Sequence, residues 1–579
     1  MKNFIISFFL LLFNILTLNT QAQVMFTDVA PTLGVNDPGA AQGCVFLDIN
    51  NDGFLDIYLI NNNTTNKLWI NNNGTAFTDV ASAWGVSAIS PGRGVSAGDF
   101  DNDGFIDMMV GNFSANLILY KNTGSSFTNF TSTAGINLPS WGGTINWLDY
   151  NNDGKLDAIF GNDGVPYHYN YLFRNDNLLS FTNVAYTAGI VDSTSTLTIS
   201  SADYDNDGDL DIFCGTQTAY GPHTDFLYKN NGNGTFSDVT QASGLIVMGF
   251  SWCADWGDFD NDGDMDLYAG ISNGPNNLYK NNGNGTFTEV AATYGVADPT
   301  ATYSCGWADY DNDGDLDLYV ANGSTGIDKL YRNDGSTFTD VAATVGTNDT
   351  RHSSCISWGD YNNDGFMDVY LNNNGTENRL YKNNAGNSNK WVILKLQGVT
   401  SNRSAIGARV KVKIGSLSMI REVSGGSGGK GQNSLPVEFG IGSASTIDSI
   451  IVRWPSGTIQ GFASVTPNVI YSLIEGQGLV GSNLHGDPLF TPYIFALYQN
   501  YPNPFNPVTI IRFTNIKKQN IKLNVYDVSG KLVSDLVNSN FGIGSYEIKF
   551  DGANLPSGVY FYKIITDSYT ETKKMMLLK

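Results

Sequence analysis

The sequence predicts an all-β chain built around a closed, seven-bladed β-propeller. Three observations carry that prediction. Seven Asp-rich nonapeptides recur along the 579 residues, their first Asp residues spaced 51, 50, 54, 55, 51 and 51 apart, a period that marks solenoids and propellers. Each unit holds four short apolar runs separated by Gly, Asn and Asp turns, the pattern of a four-stranded blade. The fourth run follows a loop only six times, at Phe77, Phe127, Phe181, Phe236, Phe287 and Phe338, and a further copy, Phe26-Thr27-Asp28-Val29, precedes the first loop. The first strand should therefore complete the last blade, and a ring latched in this way leaves no open sheet edge. Composition agrees. The chain is 41% apolar and 12% aromatic with 64 Gly and only 15% charged residues, too apolar for disorder and too rich in Gly for helical bundles.

From the N-terminus, residues 1–22 carry Lys2, an apolar run from Phe4 to Leu18 broken by Asn14, and a small Ala22. They read as a secretory signal peptide cleaved near Ala22. No other stretch approaches ~18 apolar residues, so no transmembrane helix is expected. Export permits disulfides, but the five cysteines (Cys44, Cys214, Cys253, Cys305 and Cys355) are odd in number and lie in apolar strands beside the loops. They are expected as buried free thiols rather than a disulfide framework.

The propeller is expected over 23–389. Its charge is concentrated: 28 of the chain's 55 acidic residues fall in the seven nonapeptides, leaving 27 acids against at most 32 bases elsewhere. Although the net charge of −23 makes nucleic acid and anionic bilayers poor partners, this is clustering and not a generally acidic surface. Like charges crowded so tightly repel unless a cation sits among them. In Asp203-Tyr204-Asp205-Asn206-Asp207-Gly208-Asp209-Leu210-Asp211, oxygens at positions 1, 3, 5 and 9 converge, Gly at 6 allows the sharp turn, and the carbonyl of 7 completes an all-oxygen cage suited to Ca²⁺.

The expected ligands, up to seven ions, are Asp48, Asn50, Asp52 and Asp56 in loop 1, then Asp99, Asp101, Asp103 and Asp107 in loop 2. Loop 3 offers Asp149, Asn151, Asp153 and Asp157, and loop 4 offers Asp203, Asp205, Asp207 and Asp211. Loops 5 and 6 offer Asp258, Asp260, Asp262 and Asp266, and Asp309, Asp311, Asp313 and Asp317; loop 7 offers Asp360, Asn362, Asp364 and Asp368. Loops 1, 3 and 7 hold Asn at position 3, so they should bind most weakly and empty first.

These repeats resemble the FG-GAP/VCBS family, whose calcium loops sit in β-hairpins of seven-bladed propellers such as the integrin α head. The resemblance implies adhesion or ligand binding more than catalysis.

Past Trp391 the Asp loops stop. The stretch Asn402-Arg403-Ser404-Ala405-Ile406-Gly407-Ala408-Arg409-Val410, with Arg421-Glu422-Val423, Phe439-Gly440-Ile441-Gly442 and Arg453-Trp454-Pro455-Ser456-Gly457, resembles an ASPIC/UnbV domain, expected over 390–475 as a small β module against the ring. Its segment from Gly425 to Gln432 is glycine-rich and carries no aromatic residue. Residues 476–493 read as a Gly/Pro/Asn linker. Over 494–579, Tyr498-Gln499-Asn500-Tyr501-Pro502-Asn503-Pro504-Phe505-Asn506-Pro507, Val525-Tyr526-Asp527-Val528-Ser529-Gly530-Lys531 and Leu555-Pro556-Ser557-Gly558-Val559-Tyr560-Phe561-Tyr562 resemble the type A sorting domain of the type IX secretion system, an immunoglobulin-like sandwich. That resemblance implies recognition by the type IX machinery, then removal of the tail on release or attachment at the outer-membrane surface.

No catalytic constellation is visible. The chain has four His (His168, His223, His352 and His485) and no HExxH, CxxC or GxSxG motif in a supporting context. The acidic pairs are accounted for by the loops. Two insertions stand out, between Asp157 and Asn175 and between Asp211 and Asn230, carrying Tyr167, His168, Tyr169 and Tyr171, then Tyr220 and His223. Flat amphipathic rings suit a sugar or a protein anchor, so these are candidate ligand-binding residues on the face opposite the loops. Trp147, Trp256, Trp307 and Trp358, each two residues before a loop, are expected between blades. The reading is a secreted or surface calcium-binding propeller that binds a glycan or protein; the alternative is an extracellular enzyme or accessory subunit acting on polysaccharide.

Overall fold

Each repeat folds as an antiparallel sheet of four strands whose innermost strand leads into the Asp loop. A computed structural model of the chain describes residues 25–579 apart from 164–168, 192–193, 218–224, 247–248, 324–325, 483–495, 498–499, 501–502, 516–517, 542–543 and 567–568. The expected signal peptide, most of the expected linker, and Tyr167, His168, Tyr220 and His223 lie outside the described residues. The chain divides into two compact units, residues 1–481 and 482–579.

In the first unit the inner strands are Ala41–Leu47, Ile89–Gly98, Ile145–Leu148, Ser195–Ala202, Ser251–Gly257, Thr302–Ala308 and Ser353–Gly359. Each packs on the next, and the last packs on the first. Phe26–Asp28 pairs antiparallel with Arg379–Asn383, in register Phe26 with Asn383, so the N-terminus supplies the outer strand of the seventh blade as the repeat count requires. Blades 1 and 2 are further joined into one sheet where Asp56–Thr65 pairs with Ile89–Gly98.

The apolar faces of neighbouring blades make the core. Trp147, Trp256, Trp307 and Trp358 are buried there, as expected, and Trp147, Trp256 and Trp307 stack on Phe100, Tyr204 and Phe259 of the preceding blade. Two asparagines per unit hold the blades in sequence. The Asn that ends the third strand donates its amide to a carbonyl in its own blade and to one in the preceding blade, as Asn122 does to Ile106 and Ile49. Asn71 donates likewise to Tyr361 at 2.8 Å, which carries the series across the closure. The loop Asn at position 4 sits at positive φ throughout and reaches forward, Asn102 to the Gly154 carbonyl and Asn363 to that of Gly53. Asn tolerates that backbone conformation while keeping a polar amide.

The rest of this unit forms two four-stranded sheets. One orders Val437–Gly442, Lys390–Gln397, Val469–Ile474 and Val480–Ser482; the other orders Leu417–Glu422, Arg409–Ile414, Ile447–Arg453 and Ile459–Val465. The strand Val480–Ser482 lies in what reads from sequence as linker. This sandwich sits on the Asp-loop face. Between Leu417–Glu422 and Val437–Gly442, the glycine-rich segment enters the central channel and touches six of the seven inner strands. Trp147 N–H and Asn146 Nδ2 donate to the carbonyls of Gly425 and Gly426 at 3.0 Å. Ser304 Oγ donates to Gly428 O at 2.8 Å, Val95 N–H to Lys430 O at 3.1 Å, and Ser357 Oγ to Gln432 O at 2.6 Å. Gly429 packs on Trp252 of blade 5. Glycine is required by close approach: a Cβ at 425, 428 or 431 would collide with the carbonyls of Trp147, Cys305 and Cys44. The segment is a plug.

The second unit is two antiparallel sheets, one containing Val508–Asn515 and Gly544–Asp551, the other Gln519–Tyr526, Leu532–Phe541, Gly558–Ile565 and Thr570–Leu577. They share a core of Ile511, Phe513, Leu523, Phe550, Tyr562 and Ile564.

Candidate metal centres

Each Asp loop is folded by its own carboxylates before any ion is considered. In loops 1, 2, 3, 6 and 7 the position-1 Asp accepts from two backbone N–H groups; in loop 2 Asp103 donates to Asp99 Oδ1 at 3.0 Å and Gly104 to Asp99 Oδ2 at 2.7 Å, whereas in loops 4 and 5 its backbone donor is the Gly N–H alone. The position-9 Asp accepts from position 2 and from the third-strand Asn, as Asp107 does from Phe100 at 3.1 Å and from Asn122 at 2.7 Å. All seven position-9 carboxyls are buried, and burial holds them well above the usual range, with neighbouring loop carboxylates adding to the effect. At position 1, burial raises Asp99, Asp149 and Asp360 to about 7 and Asp309 to about 8. A dry carboxyl crowded by others stays ionised only beside a cation.

The loops then divide. Asp99, Asp101 and Asp107, then Asp203, Asp205 and Asp211, then Asp258, Asp260 and Asp262, and finally Asp309, Asp311 and Asp317 each bring three carboxylate oxygens within 4.8 Å of one another. In these loops 2, 4, 5 and 6, the Oδ1 atoms of Asp101, Asp203, Asp205, Asp258, Asp260 and Asp311 are buried without a hydrogen-bond partner among the described residues. An all-oxygen donor set with orphaned, buried anionic atoms fits a hard divalent cation. In loops 1, 3 and 7 the position-3 amide instead donates to the position-5 carboxylate, from Asn50 to Asp52 at 2.9 Å, Asn151 to Asp153 at 3.4 Å and Asn362 to Asp364 at 2.9 Å. An amide N–H there supplies internally what a cation would have to supply elsewhere.

The sandwich contacts these loops through the motif residues singled out in the sequence. Ser404 Oγ accepts from Asp99 N–H at 2.9 Å, and Arg403 N–H donates to Asn102 Oδ1 at 2.9 Å. Arg453 pairs with Asp203, while Arg409 donates to the Asp203 carbonyl and pairs with Glu422 at 2.9 Å. Gly440 N–H donates to Asp309 Oδ2 at 3.0 Å, and Lys395 Nζ donates to the Gly53 carbonyl at 2.8 Å. Sequence reasoning placed these residues in a domain without a role for them. Their positive charge, set against acidic loops, was the available signal.

Of the described insertion residues, Tyr169 is 54% exposed, whereas Tyr171 begins a third strand, stacks on Phe160 and lies tilted against Phe173. All five cysteines are free and buried, as expected, and the Cys44 and Cys355 sulfurs stand 3.7 Å apart across the ring closure. Among the described residues no helix is long and apolar enough to cross a membrane.

Family models agree with this architecture. The family model described as FG-GAP-like repeat matches six overlapping segments, 48–110, 99–160, 149–214, 203–269, 258–320 and 309–371. The ASPIC and UnbV model matches 398–480, and the secretion system C-terminal sorting domain model matches 499–578. Cartilage acidic protein 1 of Mus musculus is 26% identical over 323 residues, covering 52% of this chain and 48% of that protein. The Homo sapiens protein of that name is 26% identical over 301 residues, covering 48% and 44%. The chain thus spans about half the length of these relatives. Among solved structures, Chaetomium thermophilum Raptor gives a TM-score of 0.36 at 9% identity (62% of this chain, 30% of that one), and the SapL1 lectin in complex with alpha methyl fucoside 0.33 at 11% (53% and 96%). PorZ, a bacterial surface component of the type-IX secretion system of Porphyromonas gingivalis, gives 0.22 at 11% (93% and 81%). With repeats matched from 48 to 371, more than half its length, the chain belongs to the FG-GAP-like repeat family, as a secreted or cell-surface β-propeller protein bearing a type IX sorting tail.

Proposed function

We propose that this protein is a non-catalytic, calcium-stapled binding protein that engages an extracellular glycan or protein. The observation that carries the calcium reading is the set of orphaned carboxylate oxygens in loops 2, 4, 5 and 6. Position 1, 3, 5 and 9 side chains would hold the ion, which neutralises charge that folding otherwise leaves buried. Because the sandwich that follows the ring, residues 390–481, covers the loop face and the plug fills the channel, ligand is received on the opposite face and the rim. The segments around Tyr167, His168, Tyr169, Tyr171, Tyr220 and His223 belong to that face in this reading. The test is binding of the secreted chain to a glycan and matrix-protein array, with calcium and with chelator. Calcium-dependent hits support the reading. A blank array from a folded, calcium-loaded chain rejects it.

A further inference from the structure

The inner strands carry a feature that neither the loops nor the plug explains. Six of them have a register shift near the end farthest from the Asp loop, and in each the unpaired residue stands six positions before the loop's first Asp. These residues are Gln42, Arg93, Leu197, Trp252, Tyr303 and Ser354. A bulge turns its extra side chain out of the ladder, and bulges gather where a site needs a side chain re-aimed. Here one register around the ring is re-aimed, at the channel mouth opposite the loops.

Into that mouth the plug delivers Lys430, only 5% exposed. Its Nζ donates to Gln42 Oε1 at 3.2 Å and lies 5.2 Å and 5.9 Å from the ring centroids of Trp252 and Tyr303. Arg93 lies beside it, with its guanidinium 5.5 Å from the Trp252 ring and a 3.0 Å ion pair to Asp163. That carboxylate also accepts from Ser195, so each of its oxygens already has a partner. Lys430 has no carboxylate within ion-pair distance among the described residues. Two cations therefore share one anion in a nearly dry mouth, an arrangement that costs energy unless a further anion arrives. The half-buried rings of Trp252, Tyr303 and His352 form a continuous wall beside them, with centroids 4.8 Å and 5.0 Å apart.

We propose that this mouth is a receptor for an acidic sugar unit, its carboxylate held by Lys430 and Arg93 and its ring lying against Trp252 and Tyr303. The proposal rests on the binding reading above and narrows it to uronic acids. It also makes the site composite, because the propeller supplies the walls and the plug supplies the central cation. Burial and the nearby Arg93 bring the Lys430 amine down to about 7, so a bound carboxylate would favour its charged form. The other groups facing it are Asp163, His352 and the Cys253 and Cys355 thiols.

The experiment is titration of the full secreted, calcium-loaded chain with trigalacturonate and with a neutral galactose trisaccharide, read by calorimetry and Trp fluorescence. The acidic sugar should bind at least tenfold more tightly than the neutral one. Lys430→Met and Arg93→Gln should each weaken it at least tenfold, and wild-type affinity should fall as pH rises above 7. The wild-type pH profile keeps the test decisive if Lys430→Met fails to fold. Equal binding of both sugars, no binding of either, or unchanged affinity in a folded Lys430→Met chain would overturn the proposal. If array ligands bind while trigalacturonate does not, this inference falls and the wider binding function stands. If neither binds, both fall.

Discussion

Asp225 shows how one side chain sets a pH dependence apart from the metal loops. It precedes a third strand and accepts from Thr216 N–H and Ser251 Oγ in a fully buried position. Burial raises its carboxyl from 3.8 to about 7. A carboxyl raised on folding contributes stability fully below its unfolded pKa, and that contribution is lost as pH rises through the folded one. Stability linked to Asp225 should therefore decline between about pH 4 and pH 7. In four other blades Asn66, Asn170, Asn276 and Asn378 perform the same backbone capping, accepting from Asn61, Asn162, Ile271 and Asn373 N–H groups. Asp225→Asn should keep the Thr216 bond, reverse the one with Ser251 Oγ (as Asn276 Nδ2 donates to Thr302 Oγ1), and remove the titration, raising stability at pH 8 by roughly 1–3 kcal/mol. Denaturant melts at pH 5 and pH 8 check this, and a variant less stable at pH 8 contradicts it.

Loops and plug are the elements whose behaviour follows from local chemistry. Loops 2, 4, 5 and 6 gather three carboxylates and leave oxygens orphaned, while the Asn at position 3 of loops 1, 3 and 7 closes its own hydrogen bond. Calcium titration followed site by site should thus fill the first group before the second. Asp260→Asn should weaken loop 5 about tenfold or more, since it removes one anionic ligand and installs an amide donor. A loop 5 that binds as tightly after the change would count against the assignment. The plug is limited by volume. Gly428 sits at φ +64° against the Cys305 carbonyl, so Gly428→Ala adds strain at both backbone and contact, about 1–3 kcal/mol. Limited proteolysis should then cut the 424–434 segment, which the wild-type channel protects.

For the molecule as a whole, the ring, the loops and the sandwich form one thermodynamic system. At millimolar calcium and the ~10⁻⁴–10⁻³ M affinities usual outside cells, each occupied site would add roughly 0.4–1.4 kcal/mol by mass action. Chelation should therefore lower the stability of the ring by several kcal/mol and shift its thermal midpoint down by several degrees. Arg403, Arg409 and Arg453 meet the same loops, so chelation and detachment of the sandwich should be coupled. A melt insensitive to chelator would remove calcium from the architecture.

Sequence by itself determined the repeat, the four strands per unit, the clustering of acids in the loops and the closure by Phe26–Asp28. Each is written locally, in a period of about fifty residues, in strand alternation, or in acidic side chains gathered within nine residues. The inter-blade tryptophans were legible too, because an aromatic residue two positions before a loop, as at Trp147, Trp256, Trp307 and Trp358, has only the neighbouring blade to pack on. Tertiary structure alone decided what the glycine-rich segment does. Locally it spells a flexible linker, and only the width of a channel lined by carbonyls from five strands makes those glycines obligatory. It also decided the asparagine ties between blades and the meeting of Lys430 with Arg93, Trp252 and Tyr303. Residues hundreds of positions apart share one site there because a ring brings every repeat to the same axis, a relation that no window along the chain contains.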